Sequence, residues 1–280
     1  MRAVNDSPPT LEPPALNRWT IELKTITPMF GGSAKTREVD ADNPVRPSSV
    51  RGHLRFWWRA TTGAQFSSAP ALFAAEEQLW GSSSVHGAVS VRVEVISGGS
   101  RKPCAVYPVG KSFPDFGLYP GYALFPFQGK ASKEQPSDAL TDVQFKVILT
   151  YPLEVAAQIS SAVNAWVAFG GIGARTRRGC GSLEISANTS LQPVRRQTSN
   201  LMTLLPNQYL VGKSQRDPLI AWKEAVELYK DFRQGVPFAR NKGSDPSNPR
   251  KAGRSKFPEP DTIRLLSPRL KWTQIGRAHV

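Results

Sequence analysis

Three arginines spaced four apart, Arg51, Arg55 and Arg59, stand in the segment VRPSSVRGHLRFWWRATTG (Val45–Gly63). On a helix at about 100° per residue, that spacing lines the guanidiniums up on one stripe. No acidic residue occurs at any of the 33 positions between Asp42 and Glu76. Like charges at i, i+4 cost a free helix about 0.2–0.5 kcal/mol per pair. A stripe held with no nearby carboxylate therefore points to a counter-charge from outside, and phosphate suits arginine because the planar fork donates two parallel hydrogen bonds. The alternative is an amphipathic helix whose arginines pair with acids elsewhere in the fold. Val50, Leu54, Trp57 and Thr61 share the apolar face of this wheel. That puts Trp57 in the core and Trp58 at the edge between the faces, where its ring could stack a base.

A second candidate is GGIGARTRRGCG (Gly170–Gly181), five glycines interleaved with Arg175, Arg177 and Arg178. Glycine permits positive φ and close backbone approach, and the arginines add charge, which together suit an RNA-backbone cradle involving Gly171 and Gly173. A dinucleotide fingerprint follows a strand and opens a helix, whereas here a helix precedes and a strand follows. Gly-Lys-Ser occurs at 110–112 and 212–214, but Ala105 and Asn207 occupy the glycine position a phosphate-binding loop requires upstream, so a nucleoside triphosphatase reading fails. The plainer account of the segment is a helix C-cap at Gly170 and a tight turn into an edge strand.

Other chemistry is thin. His53, His86 and His279 are scattered, and only His53, on the arginine-bearing helix, invites a general acid–base role. Glu38, Asp40 and Asp42 alternate but lack the glycine and terminal glutamate of a calcium loop, so no metal site is expected. Cys180 lies near arginines that favour thiolate, yet no base accompanies it, and it reads as a small core residue. We expect no catalytic residues, no metal and no cofactor.

These segments need elements to hold them. WTIELKTIT (Trp19–Thr27) alternates at period two and reads as a strand, as do Val89–Val95, Val143–Thr150 and Leu183–Ile185. Ser48 or Ser49 offers an N-cap for a helix ending at Gly63, Ala71–Trp80 is a shorter helix, and Leu153–Phe169 is a helix with Val155, Ile159, Val163, Trp166 and Val167 on one face. Residues 98–142 read as insertions around a short strand. The order β-α-β-β-α-β is the split, ferredoxin-like arrangement of an α+β fold. A third helix spans Pro218–Gln234 with Leu219, Trp222, Val226 and Tyr229 on one side, followed by a basic linker over 235–262.

Composition bounds the class. In 280 residues there are 36 Lys and Arg against 22 Asp and Glu, a net charge of +14 that favours a polyanionic partner. A 40% hydrophobic content with seven Trp and thirteen Phe excludes a disordered chain. No apolar run approaches the ~18 residues of a membrane span, and Met1–Asn17 has no apolar signal core. Two cysteines, 76 positions apart, form no disulfide framework, so a reducing, cytoplasmic setting is expected.

ITPMFGG (Ile26–Gly32), EVDADNPVRPSSVRGHLRFWWRA (Glu38–Ala60) and GGIGARTRRGCGSLEI (Gly170–Ile185) closely resemble the RAMP superfamily of CRISPR-associated proteins. The double-tryptophan phrase is similar to the first Cmr subunit of type III-B effector complexes, and FPEPDTIR (Phe257–Arg264) resembles a later family stretch. The resemblance implies ferredoxin-like, RRM-like RAMP folds, usually two in tandem. It also implies that such a subunit helps hold the 3′ part of the guide RNA and the target RNA beside other Cmr RAMP subunits. Carried over by position, the RNA-binding candidates are Arg46, Ser48, Ser49, Arg51 and Arg55, with Arg175, Arg177 and Arg178; the stripe adds Arg59 and Trp58.

The expected organisation is a flexible lead over 1–18, a ferredoxin-like RAMP domain over 19–190, and a helical and basic region over 191–280 that is a truncated second α+β RAMP unit. The closing IGRAHV resembles a translated sequencing-adapter tail. The expected function is a non-catalytic RNA-binding subunit in antiviral defence. The alternative is a metal-independent endoribonuclease that processes guide RNA through His53.

Overall fold

A computed structural model of the chain describes residues 16–35, 37–186, 217–236, 238–242 and 252–256. Most of the N-terminal lead, most of the 235–262 linker, FPEPDTIR, His279 and the IGRAHV tail lie outside the described residues. The elements run β1 (Leu16–Thr25), α1 (Pro47–Thr62), α2 (Ala69–Trp80), β2 (Ser90–Ser97), β3 (Ser100–Pro103), α3 (Gly121–Leu124), β4 (Asp138–Thr141) and β5 (Gln144–Pro152). There follow α4 (Ala156–Phe169), β6 (Leu183–Ile185), α5 (Pro218–Gln234), β7 (Arg240–Lys242) and β8 (Ala252–Ser255). The chain divides into two compact units, one of Met1–Pro114 with Phe127–Ser214 and one of Asp115–Pro126 with Gln215–Val280.

In the first unit period-two alternation becomes a four-stranded sheet in the order β2-β5-β1-β6, with every neighbouring pair antiparallel. Counting only these strands and the helices α1 and α4, this is the ferredoxin-like topology. Strand β1 starts at Leu16 rather than Trp19, because Leu16, Asn17 and Arg18 continue its pairing with Pro152, Tyr151 and Thr150. Residues 98–142 supply a second ribbon, β3 against β4, fastened to the loop after β1 by the bridge between Met29 and Leu140.

One sheet face carries Ile21, Leu23, Phe145, Val147 and Leu149, all fully buried against Val50, Leu54 and Trp58 of α1 and Ile159, Val163 and Trp166 of α4. Burying each side chain of this size contributes about 1.5–3 kcal/mol. The opposite face holds the intervening residues. Glu22, Lys146 and Glu94 form one cross-strand row, and Arg92 pairs with Glu94 at 2.7 Å. No aromatic residue occupies this face among the described strands.

Helix α1 does not begin as the hydroxyls suggest. Pro47, with its fixed φ and missing N–H, takes the first helical position, Arg46 is the extended N-cap, and no side chain caps the first turn. Ser48 and Ser49 are inside that turn and exposed. At the other end Gly63 is right-handed (φ −60°, ψ −29°) and leads into a 3-10 turn, so it does not end the helix by a left-handed cap.

In the second unit, Asp217 caps α5 by accepting from the amides of Leu219 and Ile220 at 2.8 and 3.3 Å. Trp222 and Val226 are its buried residues, and Tyr229 and Tyr122 approach with ring centroids 6.3 Å apart. Strands β7 and β8 pair as a short antiparallel ribbon.

Candidate nucleic-acid interface

The glycine-rich loop is laced to the chain that leaves β1. Ala174 N donates to Phe30 O (2.7 Å), Gly181 N to Pro28 O (2.9 Å), Ile26 N to Ser182 O (2.8 Å) and Ile172 N to Gly181 O (2.9 Å). The Thr27 hydroxyl donates to Gly179 O at 2.6 Å and accepts from Ser182 N at 2.9 Å. This packing explains the glycines. A Cβ on Gly181, at φ +64°, would stand 2.0 Å from Ile172 O, and one on Gly173, at φ +90°, 2.6 Å from Phe30 O. The spacing suggested a cradle built for RNA; most of its glycines instead serve close approach of one backbone to another. Gly171 is buried, with its carbonyl accepting from Trp166 Nε1 at 2.9 Å, so it is withdrawn as an RNA contact. Gly173 stays exposed at the loop's tip.

The three arginines of the loop differ. Arg175 is left-handed (φ 59°, ψ 32°) and places its guanidinium 6.0 Å from the Phe127 ring centroid. Burial first, and the charge of Arg178 second, push its pKa below the ordinary value. Arg177 points to solvent and Arg178 is half-buried.

Gly31 and Gly32 join this loop to α1. A Cβ on Gly31 would stand 3.1 Å from Ala174 Cβ, and Gly32 O accepts from Arg46 Nη2 at 2.7 Å. The same nitrogen reaches Asp40 Oδ2 at 2.5 Å. The Asn43 amide first, then Arg46, hold the Asp40 carboxyl below its usual range. The Arg46 side chain stays 48% exposed beside an Asp40 side chain that is 18% exposed. Arg46, at the uncapped start of α1 that also carries Ser48 and Ser49, and the glycine loop at Ala174 thus meet at Gly31–Gly32, and Arg51 is exposed one turn along the same helix. An uncapped helix start presents orphan N–H groups and a positive dipole end, both complementary to phosphate. In the sequence Gly31 and Gly32 stand out as the end of the family-like ITPMFGG segment, with nothing to tie them to Arg46 or Ala174.

The far end of the stripe is different. Arg55 Nε donates to Glu76 Oε1 at 2.6 Å, and Arg59 Nη1 to Oε1 and Oε2 at 2.6 and 2.8 Å. Arg55 Nη1 also donates to Gly81 O at 3.1 Å. Glu76 lies on α2 with a side chain only 4% exposed. Burial opposes its charge, but the two guanidiniums overcome burial and hold its pKa below the ordinary value. For Arg55 and Arg59 the counter-charge is therefore internal, and both are withdrawn from the RNA-binding set. Arg51 has no such partner among the described residues.

The tryptophans are exchanged as well. Trp58, not Trp57, is the core ring, 1% exposed and donating Nε1 to Gln158 Oε1 at 2.9 Å. A ring so enclosed offers no face to a base. Trp57 is half-buried, its indole so near Gly170 that a Cβ there would meet Nε1 at 2.7 Å.

His53 stacks on Trp166 with centroids 6.1 Å apart and planes 13° apart, and burial pushes its imidazole below the ordinary pKa. No carboxylate hydrogen-bonds that ring among the described residues. Cys180 is fully buried and its thiol is pushed up to about 12 by burial, so the nearby arginines do not make it a thiolate. Among the described residues no three His, Cys, Asp or Glu side chains are grouped to hold a metal, and no helix is long and apolar enough to cross a membrane.

The RAMP superfamily model matches residues 22–184. The chain is 29% identical over 171 residues to CRISPR system Cmr subunit Cmr1-1 of Pyrococcus furiosus, covering 59% of this chain and 46% of that protein. It thus spans about half the length of that relative. It is 32% identical over 182 residues to Cmr subunit Cmr1-2 of the same organism, covering 59% of this chain and 92% of that protein. The apo crystal structure of Pyrococcus furiosus Cmr1 superposes with a TM-score of 0.52 at 20% identity, over 82% of this chain and 80% of that one, which shows a shared fold. With the matched segment running from within β1 to within β6 and holding both helices on the sheet, the chain belongs to the RAMP superfamily, and Cmr1 subunits are among its homologues.

Proposed function

We propose that this chain is a non-catalytic RNA-binding subunit of a type III-B CRISPR ribonucleoprotein, holding the 3′ region of the guide RNA and target RNA in the cytoplasm beside other Cmr RAMP subunits. The observation that carries the reading is the meeting of Arg46, the uncapped start of α1 and the glycine loop at Ala174 around Gly31–Gly32, with Arg51 exposed one turn along the same helix. The +14 charge supplies the long-range attraction. The sheet face opposite the helices does not compete for the ligand. Its Glu22–Lys146–Glu94 row is balanced only by Arg92 and so carries no excess positive charge, and it lacks the rings with which an RRM stacks bases. Kinship to Cmr subunits supplies the biological setting.

The test is a titration of a labelled single-stranded RNA with the full chain and with the Arg46→Gln, Arg51→Gln, Arg177→Gln variant. Charge-assisted contacts are worth about 1.5–3 kcal/mol each, so losing two or three should weaken binding at least about 100-fold. Unchanged affinity would sink the reading. The RNA should be recovered intact; specific metal-free cleavage lost in His53→Ala would establish the endoribonuclease instead.

A further inference from the structure

We propose that the seam between α1 and α4 is a base-stacking shelf, where an unpaired nucleobase lies over Gly52 and His53 and against the Phe56–Trp57 corner. The proposal rests on the RNA-binding reading above and deepens it by assigning the subsite that reads bases rather than phosphates. Phe56 is 52% exposed in mid-helix, where an apolar ring gains little from water. Trp57 stands at right angles to it, centroids 5.2 Å apart, and Phe169 lies 6.2 Å from Trp57 across the seam. Perpendicular rings make a corner that offers a planar guest one face to stack on and one edge to abut. Gly52 keeps the approach open, since a Cβ there would meet nothing within 4 Å. His53, one residue on, is held flat against Trp166.

The occupant follows from charge and place. The shelf continues the phosphate site one to two turns along the same helix, since Ser49 and His53, and His53 and Trp57, are each four apart. It lies within the segment that has no acid from Asn43 to Ala75, beside Arg51. An acid-free, arginine-flanked aromatic surface fits a polyanion with π-faces, which is single-stranded nucleic acid. The sheet has no ring on its outer face, so base stacking falls to the helices.

The experiment compares the full chain with its Phe56→Ala and Gly52→Gln variants against two probes of equal length, an oligoadenylate and an abasic ribose-phosphate strand. Base–aromatic stacking corresponds to roughly 5- to 150-fold in affinity per base. Phe56→Ala should weaken oligoadenylate binding about tenfold and leave the abasic strand unchanged. Gly52→Gln, which favours the helix, should do the same while the unfolding temperature rises or holds. If both variants bind both probes as the parent chain does, the shelf is not a base site, although RNA binding stands. If the parent binds neither probe, the RNA reading itself fails and takes this inference with it. If Phe56→Ala spares both probes but changes the chain's sedimentation, the corner is a protein contact and the proposal is overturned.

Discussion

Helix α1 carries one residue type to two opposite ends. Near its start, Arg46 and Arg51 are exposed, and the only acid on them among the described residues is Asp40, a part-buried loop carboxylate. Two turns later Arg55 and Arg59 close on a carboxylate that is 4% exposed. On the proposed reading the same guanidinium is a ligand-binding group at one end, and in the structure it is a clamp on a buried carboxylate at the other. Helical spacing treats the two alike, and what separates them is the acid that α2 brings across. Arginine periodicity alone therefore reports a line of charge, not its purpose.

The sharpest way to break that contrast is the double variant Arg55→Gln, Arg59→Gln. It leaves Glu76 buried without its partners. Stripping a buried charge this way costs about 3–5 kcal/mol, and a value near 3 is expected because the carboxyl can escape part of the penalty by taking a proton. Denaturant melts should show that loss, while RNA affinity of the folded protein stays within about twofold. A hundred-fold loss of affinity with unchanged stability would reverse the assignment.

Acid sharpens the same point. Glu76 has a folded pKa below its ordinary 4.5, so the stability it contributes is present above that value and is lost as pH falls through the lower, folded pKa. The parent chain should lose unfolding temperature more steeply below about pH 4.5 than the double variant, which has no such pair to lose. Parallel acid profiles would mean that the clamp is electrostatically idle.

The smallest effect expected is on the salt slope. About five phosphate contacts to a single strand give a slope of log K against log salt near −3.5, at about 0.7 per contact. Replacing Arg51 alone should flatten it by about 0.7, and replacing Arg59 alone should not change it. Equal flattening by both would restore a single continuous stripe.

The sheet was legible because its strands are half-buried and alternate: Trp19, Ile21 and Leu23 face one way and Thr20 and Glu22 the other. The helices were legible from Ile159, Val163 and Trp166, whose spacing is the buried face of α4. What sequence withheld depended on contacts far apart in the chain. Glu76 is 21 positions from Arg55 and 17 from Arg59. Adjacent tryptophans differ by about 100° on a wheel, so a small rotation of α1 exchanged Trp57 for Trp58 in the core. The hydroxyls at Ser48 and Ser49 pointed to a cap, but Pro47 starts the helix before them. The glycines after α4 answer to Pro28 and Phe30, roughly 150 positions earlier, and no local pattern announces that.

The Thr27 hydroxyl, donating to one strand of the glycine loop and accepting from the next, has a kinetic consequence. A loop fastened at Pro28, Phe30, Thr27 and Ser182 is already ordered before any ligand arrives. On the proposed reading, RNA association then carries no folding step of this loop and runs at the speed set by electrostatic steering, which falls with ionic strength. Because little conformational entropy is left to lose, the proposed binding would express differences among RNAs in residence time rather than in encounter rate.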